Sequence, residues 1–322
     1  MNLRISPAPH IRSAVSTRSL MLDVVIALIP TTAAGIYFFG LNAAVTVALS
    51  VAAAVISEYL YQKIRKQEPR INDLSAVVTG LILGLNLPPS APWWLPVVGS
   101  AIAIVIVKQL FGGIGDNFLN PAMAARGILL ASWSLRMTTF YAPTYFKNVD
   151  AVTTATPLSA AASAAEATSS ATGAAPAYQM PSLTDLFLGN MPGSIGEVCK
   201  AAILLGLIYL VIRKVITVIP FVMMISFALF TWIFGGDPLT GLLTGGVMFG
   251  AVFMATDYSS SPMTIKGQMI YAAIIGFIIV ILRKYGSYPE GVTYAILLGN
   301  IAAPLIDKYS KLRVYGEVKP NA

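Results

Sequence analysis

The residues of this chain whose types could do chemistry are few, and most of them stand at the margins of apolar runs. One hydroxyl-rich stretch, Asp150-Ala-Val-Thr153-Thr154-Ala155-Thr156-Pro157, interrupts the middle of the chain. On composition alone it reads as a solvated loop. Arg126 stands among the small residues Ala122, Ala124, Ala125 and Gly127. A guanidinium at mid-membrane costs at least about 2.5 kcal/mol, so it must face a partner, a cofactor or water. Glu197 and Asp257 are candidate carboxylate partners. Asp257 and Glu290 end or begin apolar segments, where carboxylates and broken-helix carbonyls could form an ion pathway. Solvated helix ends are the plainer reading. Asp23 and Glu58 lie just inside the first two segments, as relay groups or as partners of Arg18 and Lys63. With one cysteine, Cys199, and one histidine, His10, the chain supplies no ligand set for an iron–sulfur cluster, a zinc ion or a haem held by histidine pairs.

These groups are carried by a very apolar scaffold. Of 322 residues 56% are hydrophobic and 11% charged, and the mean hydropathy is +0.74. Soluble domains carry about 25% charged residues. Apolar runs recur from Leu20 to Ile306, which distinguishes a polytopic membrane protein from a chain with one cleavable leader. The net charge of +7 is spread beside the membrane segments and forms no stripe, which suits anionic lipid and argues against nucleic acid.

Hydropathy predicts segments at residues 20–39, 41–61, 74–87, 94–110, 121–133, 198–212, 215–234, 239–255, 267–282 and 292–305. The third is short and stops at Asn86-Leu-Pro-Pro-Ser90, as a partial or broken helix does. The expected organisation is a cytoplasmic N-terminal segment (1–19), a first transmembrane half (20–133), a long loop (134–196), a second half (197–306) and a cytoplasmic tail (307–322). Ten segments put both termini on one side. With those termini inside, Arg4, Arg12, Arg18, Lys63, Arg65, Lys66, Arg70, Lys108, Arg213, Lys214, Lys266, Lys308, Lys311, Arg313 and Lys319 are cytoplasmic. Only Arg136, Lys147, Lys200, Arg283 and Lys284 lie outside, so the excess of inside positive charge orients the chain and turns the Thr156 loop outward. Leu74-Ser-Ala-Val-Val-Thr-Gly80 aligns without gaps with Leu239-Thr-Gly-Leu-Leu-Thr-Gly245. The two stretches run in opposite directions in this topology, which predicts two inverted five-helix repeats. Gly193-Ser-Ile-Gly-Glu197 precedes the sixth segment. It reads either as a capping box, with Ser194 as N-cap and Glu197 at the third position, or as a helix start whose free N–H groups hold a phosphate or ring carbonyl.

The order of residues in the central stretch, Asp150-x-x-Thr153-Thr154-Ala155-Thr156, resembles the acceptor motif for covalent flavin attachment, in which the last threonine is esterified through the phosphate of FMN. Asn120-Pro-Ala-Met123, Gly189-Asn-Met-Pro-Gly-Ser-Ile-Gly-Glu197, Ala255-Thr-Asp-Tyr-Ser-Ser-Ser-Pro262 and Glu290-Gly-Val-Thr-Tyr-Ala-Ile-Leu-Leu-Gly-Asn300 are similar to signature blocks of the RnfD/NqrB family. The resemblance runs from Arg18 to Asp307, and the length is that of the RnfD branch. It implies an all-α, ten-helix fold with urea-channel-type inverted repeats and an inner- or plasma-membrane location. It also implies FMN joined by a phosphoester to Thr156, with Asp150, Thr153, Thr154, Ala155, Arg126 and Ser194 around it. A second, noncovalent flavin is compatible with the same resemblance. The implied partners are the other subunits of an Rnf-type complex, between ferredoxin and NAD, and an extracytoplasmic flavin transferase. Electron passage would be coupled to Na⁺ or H⁺. The chain has no G-x-G-x-x-G in a βαβ unit, so NADH and ferredoxin chemistry falls to those partners, and no catalytic acid or base is assigned. Tyr258 departs from the expected proline. The Ala/Ser/Thr tract at 159–177 has no functional reading. A small-solute channel or permease is the competing class, motivated by the inverted repeat and the scarcity of redox ligands; a structural subunit without cofactor is a third.

Overall fold

The computed structural model describes residues 16–68, 70–145, 153–161, 163, 180–286 and 291–310. The protein is mostly helical. Ser16 caps the first helix, accepting from Ser19 N–H while the Ser19 side chain returns the bond. That helix, α1, is Thr17–Phe39, and α2 is Leu41–Ile64. Both are long and apolar enough to cross a membrane, as is α13, Ile265–Tyr285. Pro30 inside α1 and Pro304 inside α14 (Val292–Tyr309) are tolerated as they are in lipid-embedded helices.

Two stretches do not span. α3, Ser75–Asn86, has 12 residues and so extends about 18 Å, well short of a hydrocarbon core of about 30 Å. The later stretch is broken: α11 is Pro238–Leu243, the chain turns at Thr244–Gly246 with Gly245 at φ 64°, and α12, Val247–Phe249, continues as a π-helix over Gly250–Met254. The apolar run 239–255 is thus two short helices, where hydropathy alone predicts one segment. The fourth helix, α4, also changes form, from α-helix at Trp94–Ala101 to π-helix at Ile102–Gln109.

Two sets of helices pack closely. In the first, α2 lies against α3 and α4; in the second, α10 (Ile219–Ile233) lies against α11 and α13. Across the middle, α1 packs on α9 (Lys200–Ile212), and α5 (Pro121–Ser132) packs on α14. Small side chains let these backbones approach, and buried hydroxyls tie them. Ser50 of α2 donates to Gly80 O at 2.7 Å, and Ser100 of α4 donates to Ser50 O at 2.8 Å. Large apolar residues such as Leu41, Ile64, Ile225 and Trp232 stay exposed around the bundle, as a lipid- or subunit-facing belt requires.

Between α5 and α9 lie small elements: α6 (Ser134–Thr138), strand β1 (Phe140–Tyr141), strand β2 (Thr153–Thr154), a helical turn α7 over 157–161 and α8 (Leu183–Leu188). β1 and β2 pair antiparallel, with Phe140 opposite Thr154 and Tyr141 opposite Thr153. Thr144 and Tyr145 N–H groups bond Phe38 O, and Tyr145 donates to Asn190 Oδ1 at 2.6 Å, which fastens this cap to the end of α1. Asp23 pairs with Arg213 (3.1 Å) and Tyr209 (2.9 Å), not Arg18; Glu58 pairs with Lys108, not Lys63. In both cases the partner comes from a distant helix, because an apolar interior forces each carboxylate to the nearest buried or half-buried cation.

Candidate functional site

Thr156 lies two residues beyond β2 and directly before the α7 turn. Its hydroxyl accepts Ser159 N–H at 3.2 Å and lies 2.9 Å from the Ser159 hydroxyl, while Ala160 N–H bonds its carbonyl, so it is the N-cap of that turn. Thr156 is buried whereas the preceding Ala155 is exposed. Pairing of β2 with β1 holds Thr153 and Thr154 beside Phe140 and Tyr141, and Thr154 Oγ1 is buried without a hydrogen-bond partner. Two cavities meet at Thr156. The larger, with an empty volume of about 590 Å³, is lined by Arg126, Met137, Phe140, Ser159 and Tyr294. The smaller, about 300 Å³, is lined by Pro157, Gly193, Glu197, Lys200 and Gly245.

Each wall has a local reason. Asn120 caps α5 by accepting Ala122 and Met123 N–H, with Pro121 at the first helical position. One and a half turns on, Arg126 enters the interior. It donates to Asn86 Oδ1 at 3.1 Å, at the last residue of α3, and pairs with Glu197 Oε1 at 3.3 Å; both ionic side chains are at most 6% exposed. Of the two candidate carboxylates, Glu197 is the one Arg126 meets.

The Gly193–Glu197 stretch is neither of the helix starts that its sequence suggests. α9 begins at Lys200, with Cys199 as N-cap, so Ser194 caps nothing and there is no capping box with Glu197. The stretch instead crosses the end of α3 as buried irregular backbone, with Gly196 N–H on Leu85 O (2.7 Å) and Ile195 N–H on Leu87 O (3.2 Å). A Cβ at Gly196 would stand 2.7 Å from Leu85 Cβ, so only glycine permits this docking. Gly246, at the α11–α12 break, leaves the space that the Glu197 carboxylate fills. Ser194 Oγ is buried and lacks a hydrogen-bond partner.

Asp257 is elsewhere. It accepts from the hydroxyls of Ser259 (3.0 Å) and Ser260 (2.8 Å) and lines a separate cavity of about 610 Å³ with Asn120, Thr79, Val215 and Tyr258. Tyr258, at the expected proline, donates to Val215 O. Asp150, Glu290 and nearly all of the Ala/Ser/Thr tract lie outside the described residues. The structure thus brings Thr156 and Arg126 to one cavity, with the Thr153–Thr154 backbone paired to β1 beside it, sets Ser194 in the adjoining backbone, and puts Asp257 in a different cavity. Sequence reasoning misses Asn86, Lys200 and Tyr294. Asn86 passes as a helix stop and Lys200 as an exterior loop cation, although both are polar groups at the edge of apolar runs, the one signal available.

Comparison with known proteins adds an independent line. The model of the NQR2, RnfD, RnfE family matches residues 4–316. A subunit of the Na(+)-translocating ferredoxin:NAD(+) oxidoreductase complex of Acetobacterium woodii is 49% identical, over 99% of this chain and 97% of that protein. A subunit of the proton-translocating ferredoxin:NAD(+) oxidoreductase complex of Clostridium ljungdahlii is 40% identical, over 97% and 96%. A subunit of an ion-translocating oxidoreductase complex of Escherichia coli is 33% identical, over 99% and 100%.

Proposed function

Because the chain belongs to the NQR2, RnfD, RnfE family, we propose that it is the RnfD-type membrane subunit of an ion-translocating ferredoxin:NAD⁺ oxidoreductase complex, with FMN covalently joined by a phosphoester to Thr156. The observation that carries the flavin part is the position of Thr156, a buried hydroxyl where two cavities meet beside a buried arginine–glutamate pair. The larger cavity has the apolar and aromatic walls, with a few polar groups among them, that cofactor sites share. Unpartnered buried hydroxyls at Thr154 and Ser194 fit a polar group not otherwise provided for. The flavin would supply one- and two-electron chemistry, and the protein position and electrostatics. Arg126, fixed by Asn86 and Glu197, presents a rigid cation to that cavity. Phe140 and Tyr294 provide flat walls, and the β1–β2 pair fixes where Thr156 stands.

The packing supports a finer reading of the scaffold, as two inverted five-helix repeats. α1 meets α9 and α5 meets α14, as copies related by a twofold axis would, and each half contains one short or broken helix in the corresponding place. With the termini cytoplasmic, by the positive charge count, Thr156, Asn86 and Glu197 are at the outer end and Glu58, Lys108 and Asp257 at the inner. The cavity holding Asn120 and Asp257 is then the candidate for the noncovalent flavin, and Asp257 for the ion pathway. Relatives named for Na⁺ and for protons are both similar to this chain, so the ion is read from membrane potential and ΔpH in reconstituted complex with and without Na⁺.

The chain coexpressed with a flavin transferase should fluoresce under ultraviolet light on a denaturing gel, and Thr156→Ala should be dark. A dark wild-type band would remove the redox reading's main support.

A further inference from the structure

We propose that Lys200 is the counter-cation of the phosphoester at Thr156, which makes the smaller cavity a phosphate subsite and leaves the larger to the flavin ring. The inference rests on the covalent-flavin reading and adds the orientation of the group. Lys200 is the first residue of α9 and is fully buried. Its Nζ donates to Gly245 O at 2.8 Å and to Glu197 O. Both carbonyls belong to irregular backbone: the chain turn between α11 and α12, and the Gly193–Glu197 stretch that crosses α3. Two parts of the fold are thus shaped to hold one ammonium at the wall that Thr156 shares.

An ammonium is a compact donor suited to phosphate oxygens, and a charge-assisted contact in a site shielded from water is among the stronger polar interactions. The linings of the two cavities point the same way. A phosphate bonded to Thr156 Oγ1 must lie next to that atom, on the wall it shares with Lys200, while the apolar and aromatic walls of the larger cavity, Met137, Phe140 and Tyr294, suit a planar ring. Arg126 lines only the larger cavity and Lys200 only the smaller, so the two buried cations divide the cofactor between them.

The test uses the full-length chain, coexpressed with a flavin transferase and purified in detergent. Lys200→Met should still give a fluorescent band on a denaturing gel. In the native protein its flavin should be released from the pocket, shifting the docked-to-free ratio by about tenfold or more. That is read as lower fluorescence polarisation and stronger quenching by acrylamide. Lys200→Arg, which keeps the charge, should stay close to wild type. Should Lys200→Met aggregate, Lys200→Gln serves as the neutral variant. A fluorescent neutral variant with wild-type polarisation and quenching overturns the proposal, as does a Lys200→Arg protein perturbed as much as the neutral one. A band dark in wild type as well would overturn attachment at Thr156 and, with it, this assignment.

Discussion

Two buried ion pairs of the same kind sit at opposite ends of α3 and face different surroundings. Glu58 and Lys108 meet at 2.8 Å with 2% and 3% side-chain exposure, and Arg126 and Glu197 meet at 3.3 Å with 6% and 3%. The first pair is internal to one half. Lys108 of α4 joins Glu58 of α2 and Ser75 at the start of α3, and Gln109 donates to the same Glu58 oxygen at 2.6 Å. It ties three consecutive helices together. The second pair crosses the halves, joining α5 and the end of α3 to the backbone ahead of α9, and it borders both cavities at Thr156. Burial and pairing alone therefore do not tell the two pairs apart; what each faces does.

Removing one partner should be costly at either end, because it strands a buried charge. Arg126→Ala and Glu58→Ala should each lose about 3–5 kcal/mol of stability, seen as lower midpoints in thermal unfolding in detergent. They should differ in flavin content, with Glu58→Ala still fluorescent and Arg126→Ala losing polarisation of whatever flavin it carries. Equal loss of bound flavin in both would break the comparison.

Replacing both partners sharpens it. Glu58→Met with Lys108→Met should recover most of that stability, since well-packed apolar pairs substitute for buried ions at little cost, and the flavin should remain immobile. Arg126→Met with Glu197→Leu should recover stability without restoring polarisation. Full restoration would reduce the Arg126 pair to a structural role.

The smallest effect is expected at the half-exposed pair. Arg213 is 53% exposed, but the Asp23 carboxylate it bonds is only 9% exposed and keeps the Tyr209 hydroxyl, so Arg213→Ala should cost about 1–3 kcal/mol, less than Arg126→Ala, and leave flavin fluorescence unchanged. A loss as large as that for Arg126→Ala would mean that the Tyr209 hydroxyl alone does not satisfy the buried Asp23 carboxylate.

Much of the fold is legible in the sequence where one physical signal dominates. α1, α2 and α13 are long apolar runs, and Asn120-Pro121 announces the start of α5 by capping chemistry. The break at Thr244–Gly246 is hidden because residues on both sides are apolar, and hydropathy averages over a turn that depends on two glycines. The pairs Asp23–Arg213 and Glu58–Lys108 are equally hidden, since each joins residues far apart in sequence whose meeting depends on how helices pack. At the site, Thr156 and Arg126 stand out by residue order and by the cost of a charge in an apolar segment. Ser194 misleads, because Gly193-Ser-Ile-Gly-Glu197 has the letters of a capping box while Gly196 serves a close backbone crossing. Lys200, counted among exterior cations, is fully buried.

The central claim is the bond at Thr156, and peptide mapping by tandem mass spectrometry tests it most directly. Digestion of the chain matured with a flavin transferase should yield a peptide spanning Thr153–Ser159 that carries the added mass of an FMN phosphoester, with fragment ions placing it on Thr156. The same peptide found unmodified while the flavin mass maps to another hydroxyl, such as Thr153, Thr154 or Ser159, would contradict the account.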